Sequence, residues 1–257
     1  MKNDKRSILL SVINAFISLL LWVVIWALFA KALDLTVIFP GPIAILKTLF
    51  TLIYTLEFWI TVLLSIGRIL LGLLLGIVFG IALAAINHAI PFSTKFITIG
   101  MTVIKSTPVA SIVLILWVII GSARLPTLIG ILMVMPIIWQ NLSDGFSAVD
   151  KQLVEVGRVF KFSAVKSFRV ITLPTLVRYF IPAVLTSVGL AWKSGIAAEI
   201  IAYTKNSIGK NIADAKAYFE GDVMLAWTLV VIVLSLALEG TIKFLLRRFA
   251  QTHAKAQ

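Results

Sequence analysis

Long apolar runs separated by short polar breaks dominate the chain. An α-helix needs roughly 20 apolar residues to cross the hydrocarbon of a bilayer. By that ruler the pattern predicts six spans, over 8–30, 58–86, 96–120, 125–142, 176–202 and 223–246. Phe39-Pro40-Gly41-Pro42 is a turn signal after the first run. Residues 43–56 then read as an interfacial helix at the outer surface, too short to be a seventh crossing. One long polar and basic stretch, 143–175, interrupts the pattern and carries Lys151, Arg158, Lys161, Lys166 and Arg169, with Arg178 just beyond. It cannot lie in hydrocarbon and belongs on the inner side by the positive-inside tendency. Within it, 155–160 and 164–171 suit two short helices separated by Lys161-Phe162-Ser163, and Leu173-Pro174 closes the segment. Proline is tolerated there because the first turn of the next helix needs no N–H. The prediction is an all-α, polytopic membrane protein, a single transmembrane domain over 1–257.

Composition agrees. Of 257 residues 60% are hydrophobic and 13% charged, and mean hydropathy is +1.07; a soluble domain would be nearer roughly 45–50% apolar. A net charge of +12 could suggest nucleic acid, but the cations cluster at the ends of apolar runs, where they serve topology and lipid contact. Fourteen Lys and Arg fall on the proposed inner segments and six on the outer ones, which places both termini inside. The head from Met1 to Ser7, with Lys2, Lys5 and Arg6, leads into an apolar run longer than the roughly 7–15 residues of a cleavable signal, so the first span is read as retained. There is no cysteine, hence no disulfide or thiol chemistry.

Several residues inside the spans ask for an explanation. Gly72, Gly76 and Gly80 form a smooth stripe suited to close helix packing. Arg68 lies one turn before that stripe; one reading is a purely structural cation whose guanidinium snorkels outward. Lys105-Ser106-Thr107-Pro108 interrupts the third run; a break at that depth persists where protein or a water-filled cavity satisfies the freed backbone groups. The alternatives are a gate or a mere kink. The fourth span contains Pro136 and ends in Trp139-Gln140-Asn141, an amphipathic belt at the inner interface. In the fifth, Lys193 would cost roughly 2.5–3.5 kcal/mol at a helix centre and is expected to face the bundle interior or a cavity. Glu199 lies about 240° further round the helix, so the two do not pair with each other. Either they serve a translocation path and an outer gate, or they pair with neighbouring helices for assembly. Ser207 can cap a short outer helix running to 219, and Glu239, Lys243, Arg247 and Arg248 read as interface anchoring.

The chain lacks a Gly-x-x-x-x-Gly-Lys-[Ser/Thr] loop, so energy from ATP would have to enter through another subunit. Its two histidines, His88 and His253, form no metal-ligating cluster, and no serine or aspartate is placed with them for hydrolysis.

Glu155-Val156-Gly157, then Lys161, then Ile171-Thr172-Leu173-Pro174 resembles the EAA loop of bacterial ABC-importer permeases. The family usually has two alanines where this chain has Val156 and Gly157, and a turn glycine where it has Lys161. A non-glycine residue at positive φ costs on the order of 1 kcal/mol, which predicts a locally different turn. The resemblance extends to Pro40-Gly41-Pro42, Arg68, Lys105 with Pro108, and Ser207-Ile208-Gly209-Lys210, and is nearest the nitrate, sulfonate and taurine group. It implies a type I ABC-importer permease-like bundle in a bacterial or archaeal cytoplasmic (inner) membrane. It also implies cytoplasmic ABC ATPase subunits, which would hold ATP and Mg, a second and identical permease subunit, and an extracytoplasmic substrate-binding protein. In the resemblance, Glu155, Gly157, Lys161, Phe162, Ser163, Leu173 and Pro174 belong to the ATPase-coupling loop, while Arg68, Lys105, Pro108, Lys193 and Glu199 are candidates for the path or gate. The interior cations lean towards a small anionic solute, a neutral pyrimidine precursor being the alternative. The competing classes are a secondary transporter or channel, for which no internal inverted repeat is visible, and a membrane scaffold, which would leave the intramembrane lysines unexplained.

Overall fold

The computed structural model describes residues 2–33, 35 and 37–254, and the side chains of Lys2, Lys5, Arg6, Arg247 and His253 lie outside the described residues. Helices follow one another as α1 (Lys2–Leu33), α2 (Pro42–Ile53), α3 (Leu56–Ala89), α4 (Ser93–Ser106), α5 (Val109–Ile120), α6 (Leu125–Ser147), α7 (Lys151–Val159), α8 (Ala164–Ser167), α9 (Leu173–Ala202), α10 (Ile208–Ala217) and α11 (Gly221–Ala254). Among the described residues there is no strand. Among the same residues, five helical stretches are long and apolar enough to cross a membrane, and six if α4 and α5 form one broken span.

That pair occupies the third predicted span, and α4 and α5 meet at 101° where the Lys105–Pro108 interruption falls. Pro108 donates no backbone hydrogen bond and disfavours helical geometry in the residue before it; Thr107 is accordingly extended, with ψ 129°. Thr107 Oγ1 donates at 2.7 Å to the Val103 carbonyl, which also accepts from the Thr107 N–H at 3.1 Å and closes the end of α4. The break does not make a re-entrant loop. At one end of α3, His88 stacks on Phe146 of α6 at 4.3 Å, and α4 begins directly after that end. At the other, Arg68 donates to the carbonyls of Lys205 and Asn206, and neighbouring Thr204 donates to Ser122, just past α5. Arg68 and His88 are twenty residues apart on one helix, about 30 Å. The bent pair therefore travels from the His88 end to the Arg68 end, as a crossing must.

The described contacts group the chain into two compact units, Met1–Trp59 with Asn211–Val230, and Ile60–Lys210 with Val231–Gln257. In the first, Thr48 Oγ1 donates to Asp222 Oδ2 at 2.6 Å, the Gly221 N–H donates to the Val37 carbonyl at 3.0 Å, and Phe58 stacks on Trp227. In the second, the glycine stripe explains why α3 and α6 lie against each other. A Cβ on Gly72 would stand 2.6 Å from the Thr127 carbonyl, one on Gly76 2.7 Å from Val134 Cβ, and one on Gly80 2.6 Å from Ile138 Cβ. Numbers rise together along both helices, so the two run parallel. Val113, Leu125, Ile129, Ala198 and Ala202 form a buried cluster that joins α5, α6 and α9. Trp192 Nε1 donates to the Val231 carbonyl, tying α9 to α11.

Three local expectations are corrected. Trp139 is buried inside the unit and does not form an interfacial belt. Glu239 does not serve only as an anchor at the end of its span: its carboxylate lies against Gly189 of α9, where a Cβ would come within 2.9 Å. Leu173-Pro174 closes nothing, since the helix is continuous from Ala164 to Ala202. Proline within a helix clashes with the carbonyl four residues back. Here a π-helical turn, Phe168–Thr172, precedes it, and the Leu173 N–H reaches back five residues to the Phe168 carbonyl. The wider turn makes room for the Pro174 ring.

Candidate functional site

The basic segment between α6 and α9 is an ordered helical elbow. α7 starts at Lys151, four residues earlier than the sequence pattern indicates, because Asp150 caps it by accepting from the Gln152 N–H at 2.8 Å. It ends in a Schellman-type turn, in which the Phe162 N–H bonds the Gly157 carbonyl at 2.9 Å and the Lys161 N–H bonds that of Arg158 at 2.9 Å. Lys161 occupies the left-handed position usually given to glycine, at φ 51°. The expected local difference is thus absent from the turn: lysine adopts the glycine geometry itself. Ser163 Oγ then accepts from the Lys166 N–H at 3.3 Å and caps α8, a single turn that passes directly into the π-helical one.

Gly157 is the pivot of this elbow. A Cβ there would meet Ile171 Cδ1 at 3.2 Å and the Phe162 ring at 3.5 Å, so the missing side chain lets α7 lie against both. The ammonium of Lys166 covers the Phe162 ring at 4.1 Å, a cation–π contact that holds the ring in place. Around this fixed frame Leu153, Val156, Val159 and Phe160 are exposed, with Glu155 exposed beside them. Leu173 and Pro174 are half-buried in the helix and form no part of the exposed turn.

At the Arg68 end lies a second cluster. Glu199 is fully buried. Its Oε2 accepts from Ser65 Oγ at 2.9 Å and from the Gly209 N–H at 3.2 Å, and its Oε1 stands 3.6 Å from Arg68 Nη1. Arg68 does not simply snorkel, because its guanidinium is held by the Lys205 and Asn206 carbonyls at 3.1 Å each. Ser65 Oγ accepts from the Ile208 N–H at 3.0 Å, and Ser207 Oγ from the Lys210 N–H at 3.0 Å. Three consecutive N–H groups at the start of α10, which no helix can bond internally, are therefore met by Ser65, Glu199 and Ser207. The turn into α10 takes left-handed geometry at Tyr203 (φ 54°) and Asn206 (φ 50°). Ser65 was not singled out in the sequence; its only signal is a hydroxyl one helical turn from Arg68 in an apolar run.

Lys193 does not take the first of its two expected settings, the interior of its own bundle. It is exposed on α9, while Trp192, Ser194 and Gly195 beside it are buried, so it faces outward from this bundle and not into it. Lys105 is also exposed, in the last turn of α4, with Pro108 exposed at the start of α5. The structure joins Arg68 to Glu199 and keeps Lys105, Lys193 and the basic elbow apart from that pair.

Residues 72–251 match the family model described as "Binding-protein-dependent transport system inner membrane component". A curated relative, an aliphatic sulfonates transport permease protein SsuC of Escherichia coli (strain K12), is 26% identical over 192 residues, covering 74% of this chain and 72% of that protein. Among solved structures, a bacterial ABC transporter involved in the import of the acidic polysaccharide alginate aligns with TM-score 0.60 and 18% identity, over 96% of this chain and 98% of that one. An amino acid ABC transporter crystallised with histidines aligns with TM-score 0.57 and 15% identity, over 72% and 91% respectively. Both share the fold.

Proposed function

This chain belongs to the family of binding-protein-dependent transport system inner membrane components, and we propose that within an ABC importer it is the permease subunit for a small organic anion of the sulfonate type. The permease role, a multi-pass membrane location, and dependence on ATPase and substrate-binding partners come with the family. Members are not themselves catalytic, and ATP hydrolysis falls to the partner ATPase.

The basic elbow is the surface on which that ATPase acts. The observation that carries this reading is the exposure of Val156, Val159 and Phe160 on a turn that two backbone hydrogen bonds close and whose Phe162 is pinned. Apolar side chains on a rigid, charged loop outside the membrane suit insertion into a groove of another protein. Glu155, Gly157, Lys161, Phe162 and Ser163 shape the turn, and Leu173 and Pro174 carry its motion into the span. The elbow and both termini lie in the cytoplasm, supported by the excess of Lys and Arg on those segments.

Two copies of the chain enclose the path. Supporting this is the exposure of Lys193 on a span where a lysine facing lipid would be costly; a facing copy would give it a polar surrounding. Lys105 and Lys193 then attract the anion, the Arg68–Glu199 pair braces the outer end, and Pro108 sets the bend beside the path. Rigid-body movement of the two bundles alternates access. The sulfonate class rests on those cations and on the name of the sulfonate permease relative.

Purification of the full chain from its native membrane, with mass spectrometry of what accompanies it, tests the coupling surface. An ATPase subunit that co-purifies with wild type and is lost on Phe160→Ala with Phe162→Ala supports it. A chain that arrives alone under gentle extraction, or one that keeps the ATPase despite both changes, refutes it.

A further inference from the structure

Away from the elbow and the Glu199 cluster, a groove of about 710 Å³ runs between α3, the end of α5 and the start of α6. Leu71, Ile119, Leu128 and Ile131 line it, together with the solvent-exposed Arg124 at the start of α6. From Arg124 to Ile131 is seven residues of α6, so the groove is about 10 Å deep at 1.5 Å per residue. Thr127 is its one hydroxyl, and that hydroxyl already donates to the Arg68 carbonyl at 3.0 Å. Arg124 is exposed, and its side chain has no partner among the described residues. Arg68, by contrast, is held by two carbonyls and a carboxylate.

We propose that this groove binds an anionic phospholipid, with an acyl chain along Leu71, Ile119, Leu128 and Ile131 and the headgroup phosphate on Arg124. A small hydrophilic anion would find a single cation and a dry wall without further donors. An acyl chain with a negative head matches both the wall and the cation. The groove also opens onto an apolar surface, since Ile115, Val118 and Ile119 of α5 are strongly exposed, and on a membrane span such a surface meets acyl chains. An unpartnered arginine near the headgroup level selects an anionic lipid over a zwitterionic one, by about fivefold for one charge.

The test uses the full chain with whatever subunits accompany it, purified in mild detergent, and measures retained phospholipid by mass spectrometry after incubation with equal dioleoylphosphatidylglycerol and dioleoylphosphatidylcholine. Wild type should retain phosphatidylglycerol preferentially. Arg124→Gln should lower that preference about fivefold, and Arg124→Lys should preserve it. Ile119→Trp, at a site exposed enough to spare the core, should fill the groove and remove bound lipid of both kinds, while Lys95→Gln at the far end of the bundle changes nothing. If Arg124→Gln does not fold, the contrast between Arg124→Lys and Ile119→Trp decides. Equal retention of both lipids by wild type overturns the proposal, as does an unchanged preference in Arg124→Gln. A change of transport KM or of oligomeric state with lipid retention unaffected would assign the groove to the solute or to a second copy, and would also overturn it.

Discussion

Replacing Glu199 by alanine removes one acceptor from two buried donors and one counter-charge from a guanidinium. The Ser65 hydroxyl and the Gly209 N–H, bonded at 2.9 and 3.2 Å, would be left facing a methyl group, and Arg68 would keep only its two carbonyls. Hydrogen bonds to charged groups are each worth about 1.5–3 kcal/mol, so two lost bonds come to about 3–6 kcal/mol. Breaking a buried ion pair from one side costs about 3–5 kcal/mol by a separate estimate, and the two overlap because they describe the same loss. The expected destabilisation is therefore about 4 kcal/mol, or roughly 10 °C in apparent Tm at about 2–4 °C per kcal/mol for a chain of this size. A thermal scan in detergent followed by size-exclusion chromatography reads it directly. Glu199→Gln keeps one oxygen for both donors and should lose about half as much. The double variant Arg68→Ala with Glu199→Ala should fall short of the sum of the singles by about 0.5–3 kcal/mol. An alanine variant less than about 1 kcal/mol below wild type would refute the assignment of this carboxylate as the brace of the α10 turn. A variant that keeps its stability and loses transport would instead put Glu199 on the path.

Three further outcomes follow from other contacts. Gly72→Ala puts a Cβ 2.6 Å from a backbone oxygen and should cost about 1–3 kcal/mol by overpacking, whereas Gly100→Ala, with nothing within 4 Å, should be neutral or slightly stabilising in the same unfolding assay. Lys161→Gly relieves a left-handed lysine and should raise stability by about 0.5–1 kcal/mol without loss of ATPase co-purification; a loss of stability would mean that the side chain holds the turn. Lys193→Met alters an exposed residue and should leave assembly and Tm unchanged while lowering uptake of a radiolabelled sulfonate. Loss of assembly would make Lys193 structural.

Much of the fold can be read along the chain because a membrane imposes one length on every crossing. The apolar runs at 58–86, 125–142 and 223–246 lie within α3, α6 and α11, and the Ser207 cap sits where a hydroxyl precedes a polar helix. Pro108 marks the break in the third span, but no local rule sets the 101° angle between its halves. The elbow was legible in outline and not in detail, because proline at 174 suggests a boundary while a π-helical turn absorbs it. The cluster at Glu199 was least legible. Its partners Ser65 and Arg68 lie more than 130 residues earlier, and a buried carboxylate gives no sign in sequence of which neighbour answers it. Lys193 was legible only in part for a related reason: the cost of a charge in lipid says that it must be sheltered, not whether its own bundle or another surface shelters it.

The unbroken helix from Ala164 to Ala202 also constrains how this chain can vary in length. Each residue inserted into a helix turns everything beyond it by about 100°. Lys166 over the Phe162 ring and Glu199 under the α10 turn are thus locked in phase across the whole rod. One deletion within Phe168–Thr172 would convert the wide turn to an ordinary one and drive the Pro174 ring into a carbonyl, while one insertion after Leu176 would swing Glu199 away from Ser65. Among relatives that keep this architecture, the 39 residues from Ala164 to Ala202 should admit substitutions at their exposed positions and gaps nowhere, whereas the turn at Ile90-Pro91-Phe92, outside any helix, can change its length.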